Sequence, residues 1–306
     1  MQTKAKFFSI VIPTRDEGKM LHMTVDSILS NTDYPAGFEI IIVDDGSTDG
    51  SCDRYEADER HISLIRTKNQ GVAKARNLGA KHAKGEYLLF LDAHCKVSSN
   101  WLDRFATSLN RREVAVVGPT FTKLDATEPK GCGMMWVNDK AMRFTWFTPI
   151  DADEPYKMAL TPGGCQAFRK DTFFNIGQYD DGFESWGSED LEICLRSWVL
   201  GYSVLVDPKI TIQHYFRQSR SFEVLQEDVV YNFLRLINFH FSKKRIDKIM
   251  ETLASYPHLK KVMDRIQKSD VFEMRKALNQ VRVRDDDWFF QSFQLQGKPS
   301  VISHFT

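Results

Sequence analysis

Asp92-Ala93-His94 stands at the end of an apolar run, Leu88 to Leu91. A carboxylate and an imidazole cost free energy in an apolar core unless they are paired or coordinated. Residues i and i+2 of an extended chain end point to the same side, so the two groups can reach one cation together. Such a cation neutralises a pyrophosphate as a bond to it breaks. The imidazole favours manganese over magnesium, although oxygen-rich sites take both. Taken alone, the blander reading is the better one: Asp92 caps a turn and His94 is a satisfied polar residue.

Two more charged clusters end apolar runs. Phe38 to Val43 leads into Asp44-Asp45-Gly46-Ser47, and Phe8 to Ile12 leads into Pro13-Thr14-Arg15-Asp16-Glu17. Asp-Gly-Ser is ordinary turn chemistry, and Asp49 suits a helix cap. Two adjacent carboxylates at the end of a buried strand nevertheless ask for a partner, such as ribose hydroxyls or a uracil N–H. Neither G-x-G-x-x-G nor G-x-x-x-x-G-K-[ST] occurs, so a nucleotide here is expected to be held by side chains and a metal.

The elements that must position these clusters alternate. Strands are expected over Phe8 to Ile12, Phe38 to Val43, His61 to Ile65, Glu86 to Leu91 and Val114 to Val117. Helices are expected over Lys19 to Ser30, Asp49 to Asp58 with Ser47 or Thr48 as cap, Val72 to Ala83, and Asn100 to Arg111. Near-continuous apolar strands between helices predict an α/β fold with a mostly parallel sheet covered on both faces. In such sheets ligands bind beyond the carboxyl ends of the strands, where all three clusters lie. Residues 118–160, with the acidic turn at Asp151, read as an irregular insertion with one or two strands. A helix follows over Ser188 to Leu200, capped by Ser188, with Leu191, Cys194, Leu195 and Trp198 inward. Short strands follow over Ser203 to Val206 and Ile210 to His214. Phe222 to Phe241, Arg245 to Ser255 and His258 to Asn279 read as helices.

Lys plus Arg and Asp plus Glu are 41 each, for zero net charge. This argues against nucleic acid or an anionic membrane as the main partner. No secretory leader and no apolar stretch of roughly 18 residues is expected to mark a membrane segment. Five scattered cysteines without C-x-x-C point away from zinc and disulfides, towards a cytoplasmic setting.

"FSIVIPTRDEG", "IIIVDDGSTDG", "NQGVAKARNLGAKHAKGEYLLFLDAH" and "ESWGSEDLEICLRSWVLGY" occur in that order. Together they resemble the nucleotide-sugar glycosyltransferases of the GT-A fold, family 2 in the broad sense. "FLDAHC", "GGCQAFRKDTFFNIGQYDDGFESWGSEDLEICLRSW" and "IQHYFR" are similar to the polypeptide N-acetylgalactosaminyltransferases, which use Asp-x-His and a later His as metal ligands. The resemblance spans about Phe7 to Arg217. It implies that Asp92, His94 and His214 bind Mn2+ or Mg2+. It also implies that Pro13, Thr14, Arg15 and Glu17 lie along a UDP-sugar donor. Asp44 would meet its uracil or ribose, and Gly71, Arg76, Asp92 and Ala93 would border its nucleotide and pyrophosphate. Arg76 has a structural alternative, as a buried partner of Asp44 or Asp92. Gly163 and Gly164 would let backbone approach the donor sugar, and Trp186 offers a flat face to a sugar ring or belongs to the core.

Glu189 and Asp190 open a helix, where carboxylates suit the positive end of the dipole. The functional alternative is that one of them takes the proton of an acceptor hydroxyl. The similar W-G-G-E-D run of the inverting β-1,4-galactosyltransferases implies Asp190 as that base. The polypeptide N-acetylgalactosaminyltransferases retain configuration and have Asn there. The expectation is therefore an inverting, metal-dependent transferase acting on a glycan, peptide or small-molecule hydroxyl. Its alternatives are a retaining enzyme and a silent nucleotide-sugar-binding module. Without a lectin-like repeat, a bacterial enzyme is expected.

Residues 1–218 are thus expected to form the catalytic domain, split into 1–117 for nucleotide and 118–218 for sugar and acceptor. Residues 219–306 form a helical extension. Its "VRVRDDDWFFQSFQLQGKPS" packs on the domain as a terminal segment, closes over the site as a lid, or offers Trp288, Phe289, Phe290 and Phe293 as a homodimer contact. Lys243-Lys244-Arg245 reads as a solvated helix start.

Overall fold

The apolar runs become neighbouring strands because β-branched and aromatic side chains can bury both faces of a sheet. The computed structural model describes residues 6–56, 61–126, 128–137, 143–148, 152–217 and 222–293. The first half holds β1 (Phe8–Thr14), α1 (Lys19–Asn31), β2 (Phe38–Asp44), β3 (Ile62–Arg66), α2 (Val72–His82), β4 (Tyr87–Leu91), β5 (Cys95–Val97), α3 (Trp101–Leu109) and β6 (Val114–Lys123). Next come β7 (Pro129–Gly131), β8 (Met134–Trp136), β9 (Phe144–Trp146), β10 (Tyr156–Lys157), β11 (Cys165–Arg169), α4 (Lys170–Asn175), α5 (Glu189–Val199) and β12 (Ser203–His214). The extension holds α6 (Gln226–His240), α7 (Lys243–Leu253), α8 (Leu259–Lys268), α9 (Val271–Val281) and α10 (Asp286–Ser292).

The main sheet has the order β10-β12-β6-β11-β4-β1-β2-β3. β1 lies parallel between β2 and β4, β2 pairs parallel with β3, and β6 with β12. The mostly parallel α/β sheet expected from the sequence is present. β11 runs antiparallel between β4 and β6. Its five residues are all buried, so no alternation marked it. The chain builds β2 and β3 on one side of β1 and returns to β4 on the other. Thr14, Asp44 and Asp92 stand at the carboxyl ends beside this reversal, where open α/β sheets bind ligands.

Several expected boundaries move, each for a visible reason. The helix over 49–58 is a single 3-10 turn, Asp53–Tyr55. Asp49 accepts from the N–H groups of Gly18 and Ser51, Ser47 Oγ accepts from Asp16 N, and Thr48 N donates to Asp16. These groups tie the turn to the loop after β1 instead of capping a helix. Ala57 and Asp58 lie outside the described residues, as do Asp151 and residues 218–221 around the expected domain boundary. Within 118–160, β6 runs on to Lys123 and four short strands follow, more order than the irregular insertion expected. The two strands expected over 203–214 are one, β12, with an irregularity between Asp207 and Thr211. Asp207-Pro208 punctuates the sequence there, but Asp207 turns to Arg104 at 2.8 Å and the ladder resumes. The span 258–279 is two helices, α8 and α9. They part at Ser269-Asp270, where Asp270 meets Arg235 at 2.8 Å.

Helix α5 starts after Ser188, whose φ is 73° and whose side chain makes no cap bond. The expected apolar stripe of α5 is an underestimate, because every residue from Leu191 to Val199 is buried. Helix α6 covers the outer face, where Glu192 pairs with Arg196 and lies 2.7 Å from His240 Nε2.

The acidic-aromatic tail packs on the domain. Arg245 is buried, not part of a solvated helix start; only Lys243 and Lys244 are exposed. Asp286 accepts from Ser242 N at 2.9 Å and Arg245 Nε at 2.8 Å. Asp287 meets Arg245 Nη2 at 2.6 Å, and Asp285 caps α10 through Trp288 N at 2.8 Å. Trp288 and Phe293 rest on Trp198, Phe289 and Phe290 on Trp136, and Arg245 over the Phe290 ring at 4.1 Å. All five cysteines are buried thiols. Among the described residues no helix is long and apolar enough to cross a membrane.

The Arg245–Asp286 pair sits at 9% and 4% side-chain exposure, whereas Asp287 is 66% exposed. Asp286→Ala removes the buried carboxylate that faces a buried guanidinium, so it lowers stability by about 3 kcal/mol. Asp287→Ala costs under about 1 kcal/mol. Urea denaturation of the two variants should separate these values.

Candidate active site

Asp92, His94 and His214 offer one ligand atom each, and those atoms all lie within 4.8 Å of one another. Strand β4 delivers Asp92, the turn after it delivers His94, and β12 brings His214 back opposite Cys95 of β5. His214 Nε2 is 3.4 Å and His94 Nε2 is 4.0 Å from the same carboxylate atom, Asp92 Oδ2. Burial pulls the His214 pKa below its ordinary value, which keeps the imidazole neutral and able to ligate. Burial alone would raise the Asp92 carboxyl. The His214 hydrogen bond and the Arg76 charge outweigh it, so Asp92 stays well below the usual carboxylate range.

The other nitrogen of His94 is also held. Glu17 Oε2 lies 3.3 Å from His94 Nδ1, and Arg217 binds the same carboxylate. A carboxylate behind one ring nitrogen fixes the tautomer that leaves the other free to bind a metal. The donor set, two imidazoles and a carboxylate with one ring oriented from behind, fits a divalent ion such as Mn2+. Glu17, expected along the nucleotide, lies against His94 in this structure. Phe121 and Phe216 enclose His214, with ring centroids at 5.9 and 4.6 Å.

Arg76 is the hub behind these ligands. It comes from α2 with a side chain only 3% exposed. Its Nη1 reaches Glu189 at 2.8 Å, while Nη2 reaches Asp92 at 3.1 Å and Gly163 O at 2.9 Å. Of the two structural partners weighed for it, Asp92 holds and Asp44 does not. Asp44 pairs instead with Arg66 at 2.6 Å and accepts from Ser47 N at 2.7 Å. Asp45 accepts from Gln70 N at 2.6 Å and Gly71 N at 2.8 Å, so it holds the turn that starts α2.

Gly163 and Gly164 are needed for space. A Cβ on Gly163 would stand 2.9 Å from Asp190 Cβ, and one on Gly164 would stand 3.0 Å from His214 Cδ2. The two glycines let backbone pass between the acid pair and the metal ligands. Asp190 accepts from Gly163 N at 2.7 Å and Leu191 N at 2.9 Å. Its environment is unlike that of Glu189, which is salt-bridged to Arg76 and also accepts from Gly187 N at 3.0 Å. Burial, with the Glu189 charge adding to it, pushes the Asp190 carboxyl up to about 7.

Pro13 and Thr14 end β1 opposite Val43 and Asp44. Arg15 reaches Asn69, and its guanidinium lies 5.2 Å over the Phe222 ring. Ala93 is buried between the two ligands. Trp186 is half-buried in the loop before the acid pair. The sequence reading missed Arg66 as the partner of Asp44 and Glu17–Arg217 as the support of His94. The strand register pairs Asp44 with Arg66, but register is not visible before the sheet is known.

Known proteins are similar to this chain in sequence and fold. Residues 9–177 match the family described as Glycosyl transferase family 2, and residues 148–219 match one described as the N-terminal domain of galactosyltransferase. Polypeptide N-acetylgalactosaminyltransferase 11 of Xenopus tropicalis is 32% identical over 239 residues, covering 70% of this chain and 39% of that protein. The inactive polypeptide N-acetylgalactosaminyltransferase-like protein 5 of Macaca fascicularis is 30% identical over 241 residues, covering 73% and 54%. The chain spans about half, or less, of the length of these relatives. Both are animal proteins, so the expected bacterial origin gains no support from them. The crystal structure of GalNAc-T7 with UDP, GalNAc and Mn2+ superimposes with TM-score 0.75 at 24% identity, covering 95% of this chain and 57% of that one. The mannosyltransferase PcManGT from Pyrobaculum calidifontis, in complex with GDP-Man and Mn2+, gives 0.57 at 16%, covering 90% and 74%. The fold is the GT-A fold expected from the sequence, and the chain belongs to glycosyl transferase family 2.

Proposed function

We propose that this protein is a metal-dependent glycosyltransferase that moves a hexose or N-acetylhexosamine from a UDP-sugar to an acceptor hydroxyl. The observation that carries this is the convergence of Asp92, His94 and His214 within 4.8 Å at the strand ends of a family 2 chain. The Mn2+ in two structurally similar transferases supports the same metal. When bound, the ion supplies positive charge against the departing diphosphate. Asp92, His94 and His214 hold it, and Glu17 orients His94. Pro13, Thr14 and Arg15 line the nucleotide side, and the close-packed backbone at Gly163 and Gly164 faces the sugar.

In the inverting reading, the acceptor oxygen forms its bond to the anomeric carbon as the bond to UDP breaks, and the acceptor proton passes to Asp190. Glu189 is committed to Arg76, so Asp190 is the acid of the pair that is available. A carboxylate near pH 7 is well matched to general-base work. A second reading is a retaining transfer, favoured by the likeness to polypeptide N-acetylgalactosaminyltransferases. There the neutral form of Asp190 takes the place of an amide and only positions substrate. The inactive relative keeps the silent binding module as a third outcome.

UDP is expected to bind tightly only with Mn2+, and Asp92→Ala or His94→Ala should each weaken calorimetric binding at least about 100-fold, in line with loss of roughly 3 kcal/mol of charge-assisted contacts. Chelator-insensitive UDP binding would remove the metal assignment. A silent module would bind UDP and Mn2+ yet release no sugar from UDP-hexose or UDP-N-acetylhexosamine.

For a base whose carboxyl is raised to about 7, the deprotonated form is the active one. The rate at saturating donor and metal should therefore fall tenfold per pH unit below about 7. Asp190→Asn should keep UDP binding and lose about 100-fold or more of transfer. A fully active Asp190→Asn, with retention in the product by NMR, would select the retaining reading.

A further inference from the structure

The loop before the acid pair is held from outside the nucleotide-sugar domain. Ser185, Gly187 and Ser188 have φ of 47°, 106° and 73°. Left-handed backbone at two serines is costly and persists only where surroundings over-determine it. One side of the loop is fixed by α2, because Val72 N donates to Ser185 O at 3.1 Å. The other side is fixed by one side chain of α6. Asn232 is fully buried. Its Oδ1 accepts from Glu184 N at 2.8 Å, and its Nδ2 donates to Glu184 O at 2.7 Å, Gly187 O at 3.0 Å and Trp186 O at 3.1 Å. The whole amide is thus spent on residues 184–187. Gly187 N then donates to Glu189, which binds Arg76, which binds Asp92. Arg235, one turn on, fixes Asp180 at 2.7 Å in the same connection.

We propose that Asn232 is a positioning residue for transfer: through α6 it clamps the 184–187 loop in its left-handed form and so sets Trp186, Glu189 and Asp190 relative to the metal ligands. This rests on the functional reading above and gives the helical extension a part in it, as a fixed buttress for the acid pair. The clamp touches neither nucleotide nor metal ligands directly. Its loss is therefore felt in turnover and not in UDP affinity.

The test compares Asn232→Ala with Asn238→Ala in the full chain. Asn238 is buried on the same helix, but its side-chain amide donates only to Leu234 O within α6, so it controls for damage to the helix. Hydrogen exchange by mass spectrometry follows the peptide containing residues 180–190. Calorimetry follows UDP with Mn2+, and donor turnover gives kcat and KM with UDP-N-acetylhexosamine. For Asn232→Ala, exchange should rise at least tenfold within 184–188 while α5 and α6 stay protected. Its kcat should fall by 10- to 100-fold, with the UDP dissociation constant within about twofold of wild type. Asn238→Ala should leave both unchanged. Asn232→Asp keeps the acceptor but loses the donors, and should fall between. A folded Asn232→Ala with wild-type exchange or wild-type kcat would overturn the proposal, as would an equal loss of UDP affinity. If wild type itself neither binds UDP with Mn2+ nor turns over donor, the functional reading fails and the positioning role fails with it. A local rise in loop exchange would then record a structural clamp alone.

Discussion

A buried guanidinium is the constraint on which the site depends. Arg76 is charged, almost wholly enclosed and surrounded by Glu189, Asp92 and Gly163 O. A buried cation is tolerable only where counter-charge and hydrogen bonds are close to ideal, and loss of one partner leaves the others exposed to the full desolvation cost. These partners come from β4, from the chain before β11 and from α5. The folded state therefore cannot satisfy Arg76 without bringing Asp92, the glycine pair and the acid pair to one place. The geometry of the candidate site is in this sense a consequence of solving a burial problem.

The same charge separates two neighbouring carboxylates into different roles. Glu189 faces Arg76 and a backbone N–H, so its negative charge is matched. Asp190 has two backbone N–H donors but no facing cation within salt-bridge reach among the described residues, and burial with the charge of Glu189 raises it to about 7. Adjacent carboxylates in unlike surroundings can in this way serve one site differently, one as an ion-pair partner and one as a titrating group. A parallel division holds at the two candidate histidine ligands. Glu17, backed by Arg217, orients His94, while His214 is oriented by its place on β12 and the rings of Phe121 and Phe216.

The parts legible in the sequence were those encoded locally. Apolar runs that stop at charge marked β1, β2 and β4. Asp-x-His marked the turn where Asp92 and His94 meet His214, and the order of motifs marked the family. What was not legible depended on register or on distant partners. Asp44 and Arg66 are 22 residues apart and Arg76 and Glu189 are 113 apart, and neither spacing has a period that reveals it. The contact of Glu17 with His94 was hidden as well, because only the return of the chain after β4 brings His94 against it. The all-round burial of α5 was hidden for the same reason. Its Glu192 and Arg196 look solvated until α6 supplies His240.

Local identity therefore underdetermines the chemistry of the acid pair. An aspartate at position 190 reads as a base by its type, yet its charge is set by Gly163, by Glu189 and by the elements that bury α5. With a carboxyl near 7, one residue has access to two electrostatic forms: an anion that accepts a proton and a neutral acid that hydrogen-bonds as an amide does. The family 2 match ends at residue 177, before Asp190, His214 and every helix of the extension. The strand ends that carry Thr14, Asp44 and Asp92 lie within that match. The groups that act on Asp190 come from both sides of that limit: Arg76 and Gly163 lie within the match, and Glu189 and Leu191 of α5 lie beyond it. Between these two forms the choice rests with the surroundings of one carboxylate, which the Asp-x-His motif does not specify.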